Sequence, residues 1–163
     1  MSRQDKPFCV TQEIINVNIM ALVLLEYHGL PEWGFGFNYN LRRAGVCFFP
    51  LLGQPGRIEL SIHYVTRNSF QHVRDTLLHE IAHALVGVGH GHDEIWKAKC
   101  REIGAKPLVG YGADIKMPDG KWQATCPKCH KVFHRHRKPK ASPPWHHIPC
   151  GRENGKITWA RVD

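Results

Sequence analysis

Thr76-Leu77-Leu78-His79-Glu80-Ile81-Ala82-His83-Ala84 decides how the rest of the chain is read. Its apolar members continue a pattern over 68–86, in which Val73, Leu77, Leu78, Ile81, Ala82 and Leu85 recur at helical spacing. Asn68 or Ser69 can cap the start of that helix, and Gly87 and Gly89 end it. Residues four apart on a helix stand one turn above each other, so His79 and His83 present both imidazoles on one face. Glu80, one position on, can reach a water held by the two histidines without joining them as a ligand. This is the donor set of a hydrolytic zinc site. Zinc activates a water, and Glu80 takes the proton and returns it to the leaving amine of a cleaved peptide. Five-residue matches also arise by chance, but here small and apolar residues fill the gaps and a histidine-rich turn follows at once.

A catalytic zinc takes a third protein ligand and leaves one position open. His90, His92, Asp93 and Glu102 are the candidates in reach of the chain. The metzincin pattern would place Gly and His where Val86 and Gly89 stand, which disfavours it. Glu102, on the next helix, suits the thermolysin-like arrangement. That helix is predicted to start near Asp93-Glu94 and end at Gly104, with Trp96, Cys100 and Ile103 as its core stripe. Upstream, Ile14, Ile15, Val17, Ala21, Leu24 and Leu25 predict an amphipathic helix over 11–30, closed by Gly29 and Pro31. Between the two lie three stretches rich in aromatic and β-branched residues, 33–37, 46–49 and 57–62, which predict short antiparallel strands. The segment 110–120, with Gly112 and Pro118 and no periodicity, is expected to be a linker.

Beyond the linker the composition changes. The net charge of +8 lies entirely in 121–163, because the first 120 residues hold acidic and basic side chains in equal number. A polyanionic partner is expected for that quarter of the chain. Cys126-Pro127-Lys128-Cys129 is a knuckle whose two thiolates can share one metal, and His147-Ile148-Pro149-Cys150 repeats the spacing with a histidine in place of the first cysteine. His146 is the close alternative to His147. A Cys3His set fills every position, so this zinc is structural, and so polar a module needs it to fold. A redox pair would open a helix in a βαβ unit, which this strand-poor segment does not suggest. Lys128, Lys131, Arg135, Arg137, Lys138 and Lys140 are the candidates for phosphate contact, and Phe133, Trp145 and Trp159 for stacking on bases. No base-reading motif accompanies them, so little sequence specificity is expected. The isolated Cys9, Cys47 and Cys100 are expected in the core. The apolar run 19–25 is seven residues, against about 20 for a membrane span, and no stretch suggests a signal peptide.

The run 76–84 together with Gly91-His92-Asp93-Glu94-Ile95-Trp96 resembles the SprT-like zinc metallopeptidases, a family that includes proteases of DNA–protein crosslinks. Arg43-Ala44-Gly45-x-Cys47 and Ile58-Glu59-Leu60-Ser61 resemble the family's strand segments, and the likeness covers roughly 10–160. In that family the third ligand is a histidine followed four positions later by an aromatic residue; His92 with Trp96 has that spacing, whereas His90 meets Glu94. The resemblance implies His79, His83 and His92 around a catalytic zinc with Glu80 as base. It also implies an α+β fold: a minimal zincin-like catalytic domain over 1–115, helices plus a three-stranded antiparallel sheet, then a basic zinc-ribbon module over 120–163. The implied activity is hydrolysis of DNA-bound proteins in DNA repair. The expected form is a monomer acting on DNA and its proteins, in the cytoplasm at the nucleoid or in a nucleus, without membrane contact. A non-catalytic zinc-ribbon nucleic-acid-binding or regulatory protein is the rival class, and the intact His-Glu-x-x-His argues against it.

Overall fold

The computed structural model describes residues 11–110, 114–140 and 144–162. The chain divides into two compact units, Met1–Met117 and Pro118–Asp163.

In the first unit α1, Gln12–Tyr27, starts where the Thr11 hydroxyl accepts from the Ile14 N–H. Its inward stripe is Ile14, Val17, Ala21 and Leu25; Ile15 falls off that stripe and stays 41% exposed. The strands β1, Gly34–Asn38, β2, Gly45–Phe48, and β3, Arg57–Ser61, form one sheet in the order β1-β3-β2. The expected all-antiparallel sheet is corrected here. β2 pairs antiparallel to β3, but β1 runs parallel to it, from Gly34 beside Arg57 to Asn38 beside Ser61. Burial explains the order. Ile58 and Leu60 of β3 are fully buried while β1 and β2 are only partly so, and the most apolar strand takes the middle. β2 reaches it through a hairpin, so β1 must pair on the far side. The six-residue connection is tied by side chains: Asn38 accepts from the Asn40 N–H, Asn40 from those of Arg42 and Arg43, and the Ser61 hydroxyl donates to the Asn40 carbonyl.

The chain leaves β3 through a short helix that the sequence pattern did not suggest, α2, Ile62–Val65, which buries Tyr64 and Val65. Then comes α3, Phe70–Val86, capped by Ser69, whose hydroxyl accepts from the His72 N–H. Its buried stripe, Val73, Leu77, Leu78, Ile81 and Ala82, packs among α1, β2 and β3. α4, Glu94–Glu102, packs on α3 and is capped by Asp93. The expected linker is also corrected, because the part of it up to Met117 belongs to this unit. Asn68 donates to the Lys116 carbonyl and accepts from the Lys116 N–H, a side chain doing the work of a strand partner, and Ile115 and Met117 pack on the core.

The second unit is a sheet of β4, Trp122–Thr125, β5, Val132–Arg135, and β6, Ala160–Arg161, in the order β5-β4-β6, with a 3-10 turn at Ile148–Cys150. It is thus richer in strands than its sequence suggested. Gly120 is obligatory, because a Cβ there would collide with the Arg135 carbonyl group and the His136 nitrogen. Among the described residues no helix is long and apolar enough to cross a membrane.

Candidate metal centres and cleft

α3 carries the first cluster on the face opposite its buried stripe. Gly87 and Gly89, both at positive φ, fold the chain back after the helix so that His92 returns to face it. The Nε2 atom of His92 lies 3.1 Å from that of His79 and 3.3 Å from that of His83. Three imidazoles aim the same nitrogen at one point. A tetrahedral zinc with bonds of about 2.0–2.1 Å separates its ligand nitrogens by about 3.3–3.4 Å, so the donor set fits that ion and leaves one side open. The His83 ring also donates to the backbone of His90, which fixes its orientation. Beneath the three rings lies Trp96, fully buried, with ring centroids 4.7, 5.2 and 4.6 Å from those of His79, His83 and His92. Burial, reinforced by His83 and His92, pushes the His79 pKa down to about 4, which keeps that imidazole neutral and its lone pair available.

The other candidates for third ligand are placed elsewhere. His90 pairs with Asp93 at 2.8 Å, Asp93 is occupied in capping α4, and Glu102 pairs with Lys99 at 2.6 Å.

Glu80 is buried, 8% exposed, and faces β2. Burial raises its pKa to about 7, against the pull of the Arg43 charge and a hydrogen bond from the Cys47 N–H. Gly45 makes room for it, since a Cβ there would stand 2.8 Å from both Cγ and Oε1 of Glu80. Sequence reasoning missed this glycine; its only signal was the Ala44-Gly45-x-Cys47 string that opens the strand. The cleft around Glu80 and the histidines is about 640 Å³. One wall is β2, whose outer edge has no strand partner among the described residues. The Ser61 N–H donates to the Ala44 carbonyl, and from there the antiparallel alternation turns the N–H and C=O groups of Gly45 and Cys47 outward to that edge. The opposite wall is the segment after α4, tied to α3 by Lys106–Asp75 at 2.7 Å and His72–Asp114 at 2.8 Å. The Tyr64 hydroxyl is engaged with the His72 carbonyl and Thr76 and is not turned to the open side of the histidines. Tyr111 and Cys9 lie outside the described residues. Cys100 is fully buried and Cys47 partly so.

The second cluster joins Cys126, Cys129, His147 and Cys150, with one donor atom of each inside 4.8 Å. Cys126 ends the β4 strand line, and its backbone pairs with Lys131 and His130 to close the knuckle, with His130 at positive φ. The His147 Nδ1 lies 3.2 Å from the Cys129 sulfur, whereas His146 bridges to Lys156 and stands outside the set. Burial pushes the Cys126 thiol up, but the N–H groups of Cys129 and Lys128, with His147, bring it down to about 6, so a thiolate is ready for a cation. The second knuckle depends on Gly155, where a Cβ would stand 2.7 Å from the His147 carbonyl.

Lys128, Lys131, Arg135, Arg137, Lys138 and Lys140 are all exposed. The aromatic residues, however, are not open platforms. Phe133, Trp145 and Trp159 pack as the half-buried shell of the unit's core, and the Arg135 guanidinium lies 4.5 Å over Trp145 and 5.5 Å over Trp159.

No curated protein matches this chain. The model of the SprT-like family matches residues 23–118, which takes in the sheet, α3 with its histidines, α4 and the segment tied to Asn68, and stops where the second unit begins. That family is associated with zinc metallopeptidase-type activity, and the match spans more than half of the sequence: the chain belongs to the SprT-like family.

Proposed function

We propose that the protein is a zinc-dependent endopeptidase with a minimal zincin-like catalytic unit, which cleaves proteins bound or crosslinked to DNA while its basic zinc ribbon holds the nucleic acid. The observation that carries this reading is the placement of Glu80. Its buried carboxyl group lies between three converging imidazoles and a strand edge that has no strand partner among the described residues.

An extended peptide can add to β2 as a further strand, using the outward N–H and C=O of Gly45 and the C=O of Cys47, whose N–H is taken by Glu80; this draws a backbone carbonyl past that carboxyl group. A bound zinc would supply Lewis acidity to the water and to that carbonyl. Glu80, with a pKa near neutrality, takes a proton from the attacking water and gives it to the departing amine. The Cys47 N–H keeps the carboxyl group pointed at the cleft, and Gly45 lets it approach. Backbone pairing reads no side chains, so cleavage would depend on where the enzyme is held. The exposed cations of the ribbon supply that localisation through phosphate contacts, at the nucleoid or in a nucleus, with the protein acting as a monomer.

The test is zinc content together with cleavage of a basic DNA-binding protein, with and without single-stranded DNA, for the wild type and Glu80→Gln. Two zincs per chain and DNA-stimulated cleavage that the variant loses are expected. Two zincs with no cleavage under any condition would replace this reading with that of a non-catalytic binding protein.

A further inference from the structure

The β2–β3 hairpin ends in a turn that is costly both in conformation and in exposure. Leu51 and Gln54 exchange both backbone hydrogen bonds, at 3.2 and 2.9 Å, so the loop between them is the two residues Leu52 and Gly53. Both are at positive φ, +50° and +78°, the primed turn that strongly favours Asn-Gly. A leucine in the left-handed region is disfavoured, because its Cβ crowds the following carbonyl oxygen. Leu52 gains nothing from burial in return, being 92% exposed, and Leu51 is 71% exposed beside it. Neither folding nor solubility accounts for two leucines here.

The tip is also firmly mounted. Phe49 meets the Trp33 ring edge-on at 6.4 Å, and Trp33 is seated on Gly56, where a Cβ would come within 2.6 Å of the ring. From Phe48 to Gly56 the hairpin carries no charge. The strand that lines the cleft with Gly45 and Cys47 ends at Phe48, and Phe49 and Pro50 carry the chain directly on from it to an apolar tip. Four or five residues separate Cys47 from Leu51 and Leu52, a reach of about 13–17 Å for extended chain.

We propose that Leu51 and Leu52 form a second contact for the substrate, gripping an apolar side chain four to five residues along from the one opposite Cys47. This rests on the reading that substrate adds to the β2 edge. It gives the enzyme a preference for unfolded protein, since folded substrates keep such side chains inside, and it adds selectivity that backbone pairing cannot supply.

The experiment uses the full chain with Leu52→Asn and Leu51→Ser. Leu52→Asn places the favoured residue in the turn, so the melting temperature should rise by about 2–4 °C. Binding of reduced, carboxymethylated α-lactalbumin to the Glu80→Gln background should weaken about tenfold in each variant. In the active background KM for that protein should rise by a similar factor, while cleavage of a peptide of about four residues, too short to reach the tip, should stay unchanged. A stabilised Leu52→Asn protein with unchanged Kd and KM overturns the proposal. So does an equal loss on the short peptide, which would make the tip part of the catalytic scaffold, and so does a dimer that dissociates in the variants with substrate affinity intact. If the wild type cleaves neither substrate but still binds unfolded protein through the leucines, the peptidase reading fails and the tip contact stands.

Discussion

The two ligand clusters differ in what lies beneath them. His79, His83 and His92 rest on a core of twenty buried residues among those described, including fully buried Leu77, Leu78, Ile81 and Trp96, each large side chain contributing about 1.5–3 kcal/mol. Cys126, Cys129, His147 and Cys150 rest on three, Ala124, Cys126 and Ile157, one of which is itself a ligand. In the first unit the histidines decorate a structure that apolar burial already makes. In the second, a metal held by the four side chains would have to hold much of the structure together. Metal removal should therefore have opposite consequences in the two units, and substitutions that separate metal, fold and chemistry can break or sharpen that contrast.

The largest effect is expected from Cys126→Ser. Structural zinc in small domains contributes about 10–16 kcal/mol, far more than three buried side chains can replace. The β4–β5 amide signals should collapse in an NMR spectrum and zinc content fall from two per chain to one, while those of α1 and α3 keep their positions. Loss of both zincs, or loss of the α3 signals, would show that the two units do not stand independently.

Glu80→Gln is the counterpart in the first unit. It keeps shape and leaves His79, His83 and His92 untouched, so zinc content and melting temperature should hold while kcat/KM falls by about 10²–10⁴-fold, the usual worth of a positioned acid–base group. A variant that loses zinc as well would make Glu80 a support for the metal and not the base.

How far the sequence carried this picture depended on the range of each interaction. Elements fixed by neighbours in the chain were legible. The periodicity of Val73, Leu77 and Ile81, the Ser69 and Asp93 caps and the glycines after Val86 all appear where expected, as do the paired spacings that bring each ligand set together. Elements decided across the fold were not. Strand stretches of similar length and apolarity do not reveal that β3 sits in the middle and makes β1 parallel. Nor does Asn68 announce that it will fasten Lys116, 48 residues away. The glycines at 45, 120 and 155 look like ordinary turn residues until a Cβ is built on each and meets Glu80, Arg135 or the second knuckle.

Gly45→Ala turns one of those unseen contacts into a measurement of intermediate size. The added methyl would stand 2.8 Å from the Glu80 carboxyl oxygen, on a strand edge whose backbone can accept alanine. Glu80 must give way, and a displacement of this kind should lower kcat about 10–100-fold with zinc retained. Activity close to wild type would mean that the carboxyl group has freedom the close packing does not suggest.

The smallest effect separates charge from packing in the second unit. Lys131 contributes an exposed ammonium group whose loss leaves its backbone bond to Cys126 in place. Arg135 contributes a guanidinium that also roofs Trp145 and Trp159. If phosphate contact is electrostatic, Lys131→Ala should flatten the plot of log affinity against log salt by about 0.7 for single-stranded DNA, with no change in stability. Arg135→Ala should flatten it similarly and also lower the melting temperature of the unit, because its planar head covers the apolar faces of Trp145 and Trp159. An equal stability loss in both variants would place Lys131 in the packing. An unchanged slope in both would remove this face from the DNA contact.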